Sequence, residues 1–139
     1  MTDWDLRYSE PGYAYGTEPN AFLVEVAGRI PAGPVLSLGE GEGRNAVFLA
    51  GLGHDVVAVD ASAVGLAKAE ALARERGVRL VTHVADLADY PIEPCAWSGI
   101  VSIFAHFARP LRSPLHGAVA AGLRPGGVLV LEAYTPRQL

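Results

Sequence analysis

One segment near the start of the chain constrains its fold more than any other. A short apolar run, Val35–Leu38, is followed by a loop with three glycines and then at once by a helical pattern. A second apolar run ends in Asp60, about 20 residues after Gly39, which is the spacing expected for a carboxylate that binds ribose hydroxyls. The segment therefore predicts a strand–loop–helix–strand unit that binds a nucleoside-bearing cofactor.

The composition indicates a single cytoplasmic domain. The chain has 139 residues, of which 50% are apolar, and this is enough to form one core. Its net charge of −4 gives no attraction for nucleic acid or for an anionic membrane, so neither is expected as a partner. The single cysteine, Cys95, allows no internal disulfide. The histidines lack partners at metal-ligand spacing, and we expect no metal site.

Five apolar runs of strand length alternate with helical patterns along the chain. This alternation predicts an α/β fold, with a doubly wound, mostly parallel sheet of about five strands and helices on both faces. Ligands of such sheets bind beyond the carboxyl ends of the strands. The predicted strands are Val35–Leu38, Val56–Val59, Leu80–Val84, Gly99–Phe104 and Val128–Ala133.

The helices carry recognisable start and stop signals. Asn20 and Ser62 are predicted to cap the two helices that follow them. The last helix is expected to reach Leu123, followed by a turn over residues 124–127. On the helix after Ser62, the residues expected to line one apolar face are Val64, Ala67, Ala71 and Leu72.

The glycine loop favours a cofactor without phosphates. A dinucleotide fingerprint, G-x-G-x-x-G, would have its third glycine where this chain has Arg44. Glu40 and Glu42 lie within the loop, and carboxylates beside a pyrophosphate repel it unless they are neutralised. S-adenosylmethionine carries a sulfonium and an ammonium instead, and the G-x-G-x-G spacing suits it. A nicotinamide-dependent oxidoreductase remains an alternative that predicts NADH binding.

Motifs along the whole chain resemble those of class I S-adenosylmethionine-dependent methyltransferases, in particular the tellurite-resistance-type branch that acts on small molecules. The resemblance implies one domain over residues 1–139, with an N-terminal flap over residues 1–19 and a Rossmann-like core over residues 35–139. The segments that carry it are Trp4–Tyr8, Tyr15–Asn20, Gly41–Asn45, Val59–Ser62, Ala85–Leu87 and Leu123–Gly127.

The resemblance also implies which residues bind the cofactor. Asp60 would accept hydrogen bonds from the ribose hydroxyls, with Ala61 and Ser62 beside the adenine. Three residues would let the backbone approach the methionine part of the cofactor, namely Gly39, Gly41 and Gly43.

Residues after the later strands would complete the site. Asp86 would meet the adenine amino group, and Leu87 would flank the ring. Phe104 would lie by the cofactor, and both Phe104 and His106 would face the methyl group and the acceptor. His106 is the best candidate for a general base if the acceptor must lose a proton. Tyr15 would belong to the flap over the cofactor.

The sequence departs from the family pattern in two ways. Ser37 stands where the family usually has an acid that helps to hold the methionine end. The family fold has seven strands, whereas the chain ends at Leu139, just past the fifth. Two functions therefore remain open: methyl transfer to a small-molecule acceptor, and a cofactor-binding but catalytically incomplete domain. The second would leave the edge of strand five free to form a homodimer.

Overall fold

The computed structural model describes residues 9, 12–13, 16–39, 41–87, 89–103 and 117–132. Within these ranges a helix over Ala21–Val26, α1, is followed by a 3₁₀ turn over Ala27–Arg29. The helices are α1 (Ala21–Val26), α2 (Arg44–Gly51), α3 (Ala63–Arg76) and α4 over residues 117–122. The strands are β1 (Pro34–Leu38), β2 (Asp55–Asp60), β3 (Val81–Val84), β4 (Trp97–Ile103) and β5 (Leu123–Glu132).

The strands form one parallel sheet in the order β3-β2-β1-β4-β5. β1 lies in the centre, where Leu36 pairs with Val57 on one side and with Ile100 on the other. The chain adds β2 and β3 outward on one side of β1, and then crosses to the other side for β4 and β5. The predicted doubly wound, Rossmann-like fold is confirmed, and its switch point lies at the carboxyl end of β1.

Both faces of the sheet are covered because successive strand residues point to opposite sides. On one face, α1, α2 and α3 pack on strand residues such as Val35, Ala58 and Val130. On the other, α4 and the segment after β3 pack around Leu36 and Ile100. Among the described residues, no helix is both long and apolar enough to cross a membrane.

The predicted caps are confirmed, but the buried face of α3 differs from the prediction. The Asn20 side chain accepts a hydrogen bond from the Leu23 amide, and Ser62 accepts one from the Gly65 amide. Ala67 and Ala71 are exposed. Because alanines occur at many positions of this helix, apolar spacing alone does not determine its orientation. The buried residues of α3 are Gly65, Leu66, Ala69, Leu72 and Ala73.

The start of β5 also corrects the prediction. Leu123 pairs with Trp97 in the sheet instead of ending a helix. The next pair joins Val128 to Gly99, so residues 124–127 bulge out of the register and are not a separate turn. A Cβ on Gly127 would lie 3.1 Å from the Trp97 carbonyl oxygen, which explains why this bulge contains a glycine there.

A close contact between α2 and α3 positions the glycine loop. Gly43 precedes α2 with a φ of +98°. A Cβ at this residue would lie 2.5 Å from the Ala69 Cβ and 2.6 Å from its Cα, so the absent side chain is what lets the two helices meet. The contact fixes where the loop ends and where α2 begins.

Gly43→Ala is expected to lower the free energy of unfolding by about 3 kcal/mol, because it adds a steric clash to a strained φ. Gly53→Ala is the matched control, since Gly53 has a φ of +100° but nothing within 4 Å of its Cβ position. It should lose only about 1–2 kcal/mol from backbone strain. Urea unfolding measures both, and equal losses would show that the approach of α2 to α3 is not the constraint.

Candidate functional site

The carboxyl ends of the five strands lie at one edge of the sheet, and most of the predicted site residues are there. The glycine loop follows β1, and Asp60 is the last residue of β2. Asp86 and Leu87 follow β3, and Glu132 is the last residue of β5. The edge beside the switch point is where ligands of doubly wound sheets bind, so we take it as the candidate site.

The glycine loop has a conformation that side chains disfavour. Gly39, Gly41 and Gly43 have φ values of +64°, +67° and +98°. The Gly39 amide donates to the Val59 carbonyl at 2.9 Å, which extends the pairing of β1 with β2 into the loop. Because glycine has no Cβ, it adopts these left-handed conformations without the steric cost that other residues meet.

Asp60 joins the loop to the next crossover. Its Oδ2 accepts from the Gly41 amide at 2.8 Å, and its Oδ1 accepts from the Ser62 amide at 2.9 Å. The residue is only 9% exposed. Both carboxylate oxygens are therefore fixed by backbone amides at the carboxyl end of β2, where a ribose-binding acid is expected. The structure therefore brings together the predicted loop glycines, Asp60 and Ser62.

The segment after β3 forms a turn at the same edge. The Asp86 carbonyl accepts from the amides of Asp89 and Tyr90 at 2.9 and 3.1 Å. Asp86 is exposed, and Leu87 is half-buried against the core of the second face. Burial raises the pKa of the Tyr90 hydroxyl above its ordinary value.

The charge of Glu42 is neutralised within the protein. Glu42 is 7% exposed, and its Oε2 lies 2.9 Å from the Lys68 Nζ of α3. Glu40 lies outside the described residues. Because an ammonium compensates its charge, the Glu42 carboxylate would not repel a pyrophosphate as the sequence alone suggests.

A polar cluster that the sequence did not reveal connects α1 to the site edge. The backbone amide of Asn20 donates to Asn45 Oδ1 at 2.8 Å, and its side-chain Nδ2 donates to Glu132 Oε1 at 3.3 Å. Asn20 and Asn45 are both buried. In the sequence, Asn20 and Asn45 each end a segment that resembles a family motif, but no local pattern joins them to Glu132. The cluster holds the carboxylate at the end of β5.

Three of the predicted site residues lie outside the described residues, namely Tyr15, Phe104 and His106. Ala61 is exposed, directly after Asp60. Ser37, where the family pattern has an acid, is 2% exposed on β1, beneath the loop. Among the residues with described positions, no three His, Cys, Asp or Glu side chains could hold a metal ion.

Residues 35–127 match the family model described as a methyltransferase domain, so the chain belongs to that family. No curated protein matches the chain. A solved structure from work on the conversion of a disulfide bond into a thioacetal group during echinomycin biosynthesis is 28% identical, with a TM-score of 0.77 over 91% of this chain. DhpI in complex with SAH is 28% identical, with a TM-score of 0.65 over 78%.

A TehB-like SAM-dependent methyltransferase from Corynebacterium glutamicum is 26% identical, with a TM-score of 0.62 over 78% of this chain. The matched parts are 58%, 52% and 58% of these three chains, so this chain spans little more than half of their length.

The cofactor of this methyltransferase domain is S-adenosylmethionine (SAM), and the residues at the edge fit it. The buried Asp60 carboxylate is held by two backbone amides at the end of β2 and is a charged acceptor of the kind that binds ribose hydroxyls. The loop has positive φ values at its three glycines, and Glu42 is already paired with Lys68. Asp86 and Leu87 follow the strand next to Asp60, where the adenine contacts are predicted.

Asp60→Asn is expected to weaken SAM binding between about tenfold and about hundredfold, because it removes the charged acceptor and sets an amide N–H₂ against backbone donors. Asp55→Asn is the matched control, since Asp55 is an exposed acid at the opposite end of the same strand. Isothermal titration calorimetry measures both dissociation constants. Equal affinities for the two variants would contradict the role of Asp60.

Proposed function

We propose that the chain transfers the methyl group of SAM to a small-molecule acceptor. The observation that carries the proposal is the Asp60 carboxylate, which is buried and holds the glycine loop by the Gly41 amide at 2.8 Å. Family membership supplies the reaction type. The neighbour from echinomycin biosynthesis, 28% identical, comes from work on the conversion of a disulfide bond into a thioacetal group, and a biosynthetic reaction of this kind supports a small-molecule acceptor. We also propose a cytoplasmic location.

Methyl transfer needs mainly alignment of two reactants. SAM supplies a methyl group already activated by the sulfonium, so an in-line approach of the acceptor and exclusion of water are the main tasks of the protein. In our proposal Asp60 and the glycine loop orient the cofactor, and Leu87 packs beside the adenine. Phe104 and His106 follow β4 and would face the acceptor.

A general base is required only if the acceptor must lose a proton. His106 is our first candidate for this role. Glu132 is a second, and in the structure one of its oxygens already accepts from Asn20. An acceptor that is already anionic, such as a thiolate or a chalcogen oxyanion, needs no base. The TehB-like neighbour supports placing the chain in the tellurite-resistance-type branch, where such soft acceptors would be the substrates.

The purified chain should convert SAM to S-adenosylhomocysteine when given an acceptor from a panel of small thiols, phenols and chalcogen oxyanions. Product formation is followed by mass spectrometry, with NADH binding as a parallel test of the oxidoreductase alternative. SAM binding without turnover on any acceptor would favour the incomplete-domain alternative. NADH binding without SAM binding would contradict the proposal.

The same assay tests His106. For an acceptor that must be deprotonated, His106→Gln should lower kcat by about 10²-fold or more and flatten the pH profile. For an acceptor that is anionic at the assay pH, the loss should be small. His54→Gln is the control, because His54 lies before β2, at the opposite edge of the sheet, with its Nδ1 3.2 Å from the Gly33 carbonyl oxygen.

A specific observation favours the alternative that the domain assembles through β5. In the sheet formed by the described residues, β5 is an end strand. Leu129 and Leu131 are 43% and 46% exposed on it. An end strand with exposed leucines is a template for pairing with another chain. We therefore propose a homodimer through the β5 edge.

The dimer should appear as twice the chain mass in size-exclusion chromatography with light scattering. Leu131→Lys should shift the mass toward the monomer, because a charged side chain on an end strand opposes pairing. Val81→Lys is the matched control, since Val81 is 53% exposed on β3 at the other end of the sheet. A monomer at all concentrations, or equal effects of the two lysines, would contradict the β5 interface.

A further inference from the structure

Lys68 contacts two segments that are distant in sequence. Its Nζ lies 2.9 Å from Glu42 Oε2 in the glycine loop and donates to the Gly12 carbonyl oxygen at 2.7 Å. The same ammonium lies 5.9 Å from the centre of the Tyr13 ring. The Tyr13 hydroxyl in turn donates to the Lys68 carbonyl oxygen at 3.4 Å. One side chain of α3 therefore links residues 12–13 to the loop after β1.

Glu42 lies between two loop residues that have fixed contacts of their own. On one side of it, the Gly41 amide is bound to the Asp60 carboxylate. On the other side, Gly43 contacts α3 at Ala69. Lys68 binds the residue between these two fixed points, so three successive loop residues are held by β2 and α3.

The segment at residues 12–13 is also packed, not only hydrogen-bonded. Tyr13 lies against the cluster in which α2 meets α3, formed by Val47, Leu72 and Ala73. The contact with Lys68 thus lies where the two helices that flank the loop come together. A conformational change in the loop would therefore alter the contacts of Tyr13, and displacement of Tyr13 would alter the contacts of the loop.

We propose that Lys68 is a positioning residue for SAM. Through its contacts, Lys68 couples the order of residues 12–13 to the conformation of the glycine loop. Coupling of this kind is reciprocal: if the segment stabilises the loop conformation that binds SAM, then SAM must stabilise the segment by the same factor. The proposal concerns cofactor binding alone and does not depend on the acceptor.

Charge and burial explain why a lysine is needed there. Glu42 is 7% exposed, and an ionised carboxylate in that environment is unfavourable without a partner. Removing the ammonium would take one charged partner away from this buried carboxylate and would weaken the hold of α3 on the loop. The Gly12 carbonyl would lose its donor at the same time, so both ends of the link would be released together.

Lys68→Met keeps most of the side-chain length and removes the charge. We expect it to raise the dissociation constant of SAM about tenfold. In hydrogen–deuterium exchange, SAM should protect a peptide containing residues 12–13 in the unaltered chain, and Lys68→Met should abolish that protection. Arg74→Met is the matched control on the exposed side of α3 and should change neither measurement. Lys68→Arg keeps the charge and should retain most of the affinity.

The double variant Glu42→Gln with Lys68→Met separates positioning from stability. It removes both charges of the ion pair together, so it should fold even if Lys68→Met alone does not. We expect its SAM dissociation constant to stay raised because the link to Gly12 is still missing. The proposal is overturned if the double variant regains the original affinity, which would reduce Lys68 to a counter-ion. It is also overturned if SAM gives no protection at residues 12–13 of the unaltered chain, or does not bind it.

Discussion

The hydrogen bonds from Gly41 and Ser62 to the Asp60 carboxylate determine how the rest of the site is built. They connect the loop after β1 to the start of the crossover after β2, so two segments from neighbouring strands share one acceptor. A charged acceptor makes stronger bonds to backbone amides than a neutral one, and this favours the loop conformation with its positive φ values. The contact of Gly43 with α3 and the pairing of Glu42 with Lys68 both follow from a loop held in this way.

The ion pair between Glu42 and Lys68 changes which features of the loop indicate the cofactor. From the sequence, carboxylates in the glycine loop argue against a pyrophosphate because like charges repel. In the fold, the Glu42 carboxylate is directed at Lys68 and its charge is compensated, so it does not discriminate between the two kinds of cofactor. SAM is instead indicated by three features: the spacing of the glycines, the acid at the end of β2 and the family match.

Local sequence patterns predicted what depends on local interactions. The parallel strands, the caps at Asn20 and Ser62, and Asp60 at a strand end all have signals within a few residues of themselves. The contacts of Lys68 with Glu42 and of Asn20 with Glu132 have none, because they join residues far apart in the chain. The orientation of α3 was missed for a different reason, since its many alanines make several faces equally apolar.

The N-terminal part of the chain is connected to the site edge at two separate places. Residues 12–13 contact α3 beside the glycine loop, through Lys68. Asn20 contacts Asn45 at the start of α2 and Glu132 at the end of β5. The first connection lies on the cofactor side of the switch point and the second on the side where the acceptor is expected. Because residues 12–13 and Asn20 are close in sequence, these contacts tie the described N-terminal residues both to the loop after β1 and to the end of β5, at opposite sides of the central strand.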